Sequence, residues 1–143
     1  MVKIFLSVLF LFFAVLANAD TCDNLIGTYK GVANDEFQSE YNKISIGYND
    51  NGSALLITYQ LGENSPQNTA EYITDGAEHM GDGRWSGTPY TAVCDGNAIK
   101  INNVFKELKE PLVFNFYLNG SELNLEETVG TYSRQTGKLL RTH

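Results

Sequence analysis

His79 is where any chemistry in this chain would be sought first. It lies in Asp75-Gly76-Ala77-Glu78-His79-Met80-Gly81-Asp82, and an imidazole among carboxylates has the donor types of a metal site or a general base. Nothing else in the sequence completes such a site. The other histidine, His143, is the terminal residue, so no pair has zinc-ligand spacing. There is no Gly-x-Ser-x-Gly turn and no phosphate-binding glycine loop. Glu126-Glu127 supplies two carboxylates, but neighbours along a strand point to opposite faces and cannot flank one substrate. Asp50-Asn51-Gly52 matches only a fragment of a calcium loop, and a tight turn accounts for it. The inventory therefore points away from an enzyme, a metal site or a cofactor, and places His79 in a solvated loop.

Binding chemistry is better represented. Eight tyrosines stand beside Phe37, Phe105, Phe114, Phe116 and the single tryptophan, Trp85. If the elements carrying them close into a small barrel, its interior can hold one small hydrophobic molecule. The residues expected to line that interior are Ile44, Ile46, Leu55, Ile57, Tyr59, Trp85, Phe114 and Phe116, with loops 61–68 and 75–83 gating the mouth. The same aromatics can instead simply fill a core. The protein would then be an interaction module that binds a protein or glycan through its loops, with Trp85 and Tyr90 exposed.

The elements that must position these residues are strands. Residues 43–49 place Ile44, Ile46 and Tyr48 on one face, Asn51-Gly52 is a favoured hairpin turn, and residues 54–60 return. Leu112, Phe114, Phe116 and Leu118 share a face, Asn119-Gly120 turns the chain, and Leu123 and Leu125 alternate on the way back. Further turns are expected at Asp95-Gly96 and at Thr136-Gly137, the latter between strands 129–135 and 138–142. The middle reads as a loop over 61–68, a short strand over 69–74, a glycine-rich loop over 75–83, a strand over 84–93 interrupted at Pro89, and a strand over 97–105. Residues 34–42 could form a helical turn or two. Period-two alternation punctuated by turns predicts an all-β fold, a single antiparallel up-and-down barrel of about 8–10 strands, because closure removes the sheet edges.

Residues 1–19 are expected to be a secretory leader: Lys3, an apolar run from Ile4 to Leu16, then Ala17-Asn18-Ala19. The domain would then be residues 20–143, in a secreted protein or, in a bacterium, a periplasmic one. Loss of Lys3 leaves 9 basic residues against 17 acidic ones, a net charge of −8. That surface repels nucleic acid and anionic membranes, and no second apolar run could span a bilayer. Cys22 and Cys94 both fall in the exported part, where one disulfide is the expectation. Asn51-Gly52-Ser53 and Asn119-Gly120-Ser121 are glycosylation acceptors at predicted hairpin tips.

Leu25-Ile26-Gly27-Thr28-Tyr29-Lys30 resembles the Gly-x-Trp first strand of lipocalins and intracellular lipid-binding proteins, with Tyr29 in place of the tryptophan. Residues 34–41 and 118–134 are also similar to the lipid-binding proteins, the latter to their last three strands, ending in the basic Arg134. The resemblance implies a lipocalin-like barrel with a hydrophobic ligand. The chain departs from it in lacking room for a two-helix lid between the first strands, and in offering no tyrosine at Arg134-Gln135-Thr136. Avidins are similar in plan, but one tryptophan does not make a biotin site. Physically, Gly27 permits close packing at a barrel floor and Tyr29 can plug it. Arg134 or Arg141, on terminal strands that close against the first, can lay a guanidinium over the tyrosine ring.

Overall fold

The computed structural model describes residues 21–34 and 36–142, and the leader expected over residues 1–19 lies outside them. Ten strands follow from the alternation: β1 (Gly27–Gly31), β2 (Lys43–Tyr48), β3 (Leu55–Gln60), β4 (Asn68–Tyr72), β5 (His79–Met80), β6 (Pro89–Asp95), β7 (Ala98–Asn103), β8 (Leu112–Asn119), β9 (Glu122–Val129) and β10 (Tyr132–Arg141). Their order in the sheet is β4-β3-β2-β1-β10-β9-β8-β7-β6-β5, all antiparallel. Every neighbour is consecutive in sequence except β1 and β10, whose pairing through Tyr29–Arg141 and Gly31–Leu139 joins the two ends of the meander. The expected up-and-down barrel is thus the observed one.

One side of the barrel has no backbone ladder. Between β4 and β5–β6, side chains and the connecting segment do the joining. The Ile73 amide donates to the Tyr90 hydroxyl at 2.9 Å, and the Glu71 amide donates to Asp82 Oδ1 at 3.3 Å. Lower down, the Gly76 amide donates to the Ala92 carbonyl at 3.1 Å. The Tyr72 and Tyr90 rings pack edge to face across the gap, 5.1 Å between centroids.

The lower end is filled. Leu25, on a short 3₁₀ turn (Asp23–Leu25), is fully buried with Tyr29, Ile99, Leu123 and Leu139. The Tyr29 hydroxyl donates to the Leu25 carbonyl at 2.8 Å and accepts from Arg141 Nη2 at 2.7 Å. The same Arg141 nitrogen donates to the Asn24 carbonyl at 2.6 Å, and the guanidinium carbon lies 5.2 Å from the Tyr29 ring centroid. Gly27 lies beside it: a Cβ there would make ordinary van der Waals contact with Arg141 Cζ, at 3.6 Å. Cys22 and Cys94 form the disulfide, Cα atoms 5.3 Å apart, tying the N-terminal turn to β6.

Several local expectations are corrected. Thr136-Gly137 is not a turn but a bulge inside a continuous β10, where register shifts between Gln135 and Gly137. A Cβ on Gly137 would approach Leu125 Cβ to 3.1 Å, so the glycine serves close strand packing. The turn lies earlier, at Gly130-Thr131, between the paired Val129 and Tyr132. It shares its plan with Gly120-Ser121: the first central residue is a glycine with φ near +60° (58° and 65°), as a two-residue II′ turn requires. Asn51-Gly52 sits in a longer loop whose ends are held by Asn49, its Oδ1 accepting from the Ser53 amide at 2.9 Å. Arg134, expected near Tyr29 as one alternative, lies at the opposite end of β10 from the floor, because that strand runs the full height of the barrel. Among the described residues of 34–42 there is no helix. Asn34 Oδ1 instead caps a tight loop by accepting from the Glu36 and Phe37 amides.

Two outcomes test this account. Removing the disulfide that joins cysteines 72 residues apart is expected to cost about 4 kcal/mol in urea unfolding. Tyr29→Phe, which strips a donor from the buried Leu25 carbonyl, is expected to cost about 1–3 kcal/mol, while Arg134→Ala leaves the urea midpoint nearly unchanged.

Candidate functional site

The upper half of the barrel is open where the lower half is filled. Side chains from β2, β3, β4, β8 and β9 enclose a cavity of about 260 Å³ that opens at the end opposite the Tyr29 floor. Ile44, Ile57 and Phe116 form its deep wall, and Ala70 leaves space on the β4 side. Tyr41, Tyr59 and Tyr72 bring three phenols to it, and Trp85 and Phe114 close the opposite flank. Leu61 and Leu112 sit at the rim. Tyr41 and Tyr59 meet edge to face at 6.0 Å, and Trp85 contacts Phe114 at 6.3 Å and Phe105 at 5.4 Å between ring centroids.

One lining residue is a carboxylate. Leu123, Leu125 and Glu127 follow one another on the inward face of β9, so Glu127 continues an apolar row into the cavity. Arg134, directly opposite Glu127 in the β9–β10 ladder, donates through Nη2 to Glu127 Oε2 at 3.1 Å and through Nη1 to Glu40 Oε1 at 2.9 Å. Two carboxylates share one guanidinium, which neighbours raise above its ordinary pKa. Glu126 points away, accepting from the Ser133 hydroxyl at 2.6 Å, as alternation requires. Burial, then the fields of Glu127 and Glu40, push the Tyr41 hydroxyl up to about 12, and burial raises Tyr72 as well.

Of the eight residues expected to line a pocket, Ile44, Ile57, Tyr59, Trp85, Phe114 and Phe116 come together around this cavity. Ile46 and Leu55 do not. They lie on the same inward faces but nearer the floor, 3% and 0% exposed, and belong to the filled half. Trp85 reaches the cavity from a 3₁₀ turn (Gly83–Trp85), not from a strand, because β6 begins only at Pro89, which has no amide to donate to a ladder. Tyr41, Leu61, Ala70, Tyr72, Leu112 and Glu127 were not anticipated. Period-two spacing from Leu123 and Leu125 would have found Glu127, and from Phe114 would have found Leu112. Residues 75–83 line the seam instead of overhanging the mouth. There His79 Nε2 lies 2.9 Å from Asp75 Oδ1, outside the cavity lining, and this contact holds the Asp75 carboxyl below its usual pKa. Among the described residues no three His, Cys, Asp or Glu side chains gather as a metal site. Asn51 and Asn119 are exposed on floor-end hairpins, away from the mouth.

The meander, its β1–β10 closure and the plugged floor define a calycin-like (lipocalin-like) β-barrel. Comparison with protein-family models and with curated proteins finds no match. Among solved structures the chain is similar to a mutant of the fluorescent protein UnaG, with a TM-score of 0.62 at 12% identity, covering 86% of this chain and 99% of that one. It is also similar to secretory abundant heat soluble protein 4 from Ramazzottius varieornatus, with a TM-score of 0.64 at 7% identity, covering 87% and 98%. At such identities the likeness is one of fold.

The Tyr41 hydroxyl supplies a pH test. Its folded-state pKa of about 12 lies above the ordinary value of 10, so the stability it contributes is complete below pH 10 and is lost as pH rises through about 12. Urea midpoints across that window are expected to fall, and Tyr41→Phe is expected to flatten part of the decline.

Proposed function

We propose that this is a secreted, non-enzymatic binding protein that holds a small hydrophobic ligand in the upper half of its barrel. The observation that carries this reading is the cavity of about 260 Å³, walled by aliphatic and aromatic side chains and open at one end. It exceeds the roughly 150 Å³ that accommodates a benzene ring and lies just under the range of about 300–1,000 Å³ for larger ligands. The ligand is therefore compact, with one or two rings or a short branched chain. Secretion is supported by the leader-like residues 1–19 and by the Cys22–Cys94 bridge, which suits an oxidising compartment. Among the described residues no helix is long and apolar enough to cross a membrane. Glycans on Asn51 and Asn119 would sit at the floor end and leave the mouth clear.

The interaction-module reading asked for a filled interior with Trp85 and Tyr90 exposed, whereas Trp85 is half-buried in the cavity lining. The interior is half open, and Tyr90 is 3% exposed with its hydroxyl engaged at the seam.

Native mass spectrometry of the protein from its own source, before and after organic extraction, tests the proposal. The expected result is a bound small molecule released by solvent. Ala70→Phe, which projects a ring into the cavity, is expected to abolish rebinding while the far-ultraviolet spectrum stays that of the parent. A protein that is ligand-free in its native source, and whose Trp85 fluorescence no compact apolar compound changes, would count against it.

A further inference from the structure

We propose that the cavity selects organic cations: a compact apolar or aromatic body carrying a protonated amine. This rests on the reading of the cavity as a ligand site and adds the charge of the ligand. Four features converge on it.

The first is the sign of the only charged group that the described residues bring to the lining. Glu127 is that group, and its side chain is 19% exposed. A carboxylate reached through an apolar cavity meets its ligand with little water between them, which strengthens a charge-assisted hydrogen bond from an ammonium group.

The second is how that carboxylate is balanced. Arg134, opposite Glu127 in the ladder, takes Oε2 and divides its charge with Glu40, so two carboxylates face one guanidinium. Among the described residues only Oε2 of Glu127 accepts a hydrogen bond, which leaves Oε1 for a ligand.

The third is the wall itself. Tyr41, Tyr59, Tyr72, Trp85 and Phe114 surround the same space. Aromatic faces carry negative electrostatic potential and hold ammonium groups, and three of these rings add hydroxyls that can accept from an N–H.

The fourth is the field of the whole molecule. The expected mature charge of −8 concentrates cations at its surface and disfavours anions. A fatty acid or other carboxylate would set its anion against Glu127, and among the described residues the lining holds no cation to receive it.

The experiment is calorimetric titration of the mature protein with three compounds of one shape: 2-phenylethylamine, 2-phenylethanol and 3-phenylpropanoate. The amine is expected to bind about tenfold or more tightly than the alcohol, and the carboxylate most weakly of the three. Glu127→Gln keeps the shape of the side chain and is expected to lower amine affinity about tenfold, several times more than it lowers alcohol affinity. Added salt should weaken the amine alone. If the alcohol or the carboxylate binds as well as the amine, selectivity for cations is overturned and the cavity remains a ligand site. If none of the three binds and native protein releases no small molecule, the ligand-site reading falls and this proposal with it. Should Glu127→Gln fail to fold, the order of the three compounds on the parent protein decides alone.

Discussion

The structure depends on joining its first strand to its last. Because β4 and β5 share no ladder, the chain without that pairing would fall into two separate sheets, β1–β4 and β5–β10. Pairing β1 with β10 sets the curvature, and the contact of Arg141 with Tyr29 sets the register at one end. That contact combines a cation over an aromatic face, a hydroxyl that both accepts and donates, and a guanidinium that also satisfies the Asn24 carbonyl. The disulfide then holds the N-terminal turn against β6, so the floor is anchored to both sides of the barrel.

A solid floor is what allows an open top. Small barrels either fill with side chains or keep room for one ligand, and here the two solutions are stacked. Below, Leu25, Tyr29, Ile99, Leu123 and Leu139 pack without solvent exposure. Above, inward positions are held by large rings that stand around a space, with the small Ala70 opposite. Hydrophobic burial in the lower half supplies the stability that lets the upper half forgo close packing.

The seam between β4 and β6 is the second place where side chains replace backbone. Tyr90 supplies an acceptor where a strand carbonyl would otherwise stand, and Asp82 supplies another. The wall there includes Trp85 on its 3₁₀ turn, so this side of the cavity is built in part from a loop, whereas β2, β3, β4, β8 and β9 build most of the rest. Loop-built walls open more readily than laddered ones, which makes the seam the natural place for the cavity to adjust to its occupant.

Alternation and turn chemistry determined much of this from the sequence: the all-β class, the up-and-down order, and the inward faces of β2, β3 and β8. These are local or pairwise properties, set by a period of two and by which residues tolerate a turn. What failed was local punctuation read without its partner. Thr136-Gly137 looks like a turn, but only Leu125 on the neighbouring strand shows it to be a bulge. Once β10 is continuous, Arg134 and Arg141 part to opposite ends, one to Glu127 and the other to Tyr29. Period two also cannot say how high along the barrel an inward residue lies. Ile46 and Ile44 have the same sequence signature, yet one is core and the other lines the cavity. That height, and the meeting of Glu127 with the rings of four other elements, arises only when ten strands are staggered around one axis, because the contacts join residues far apart in the chain.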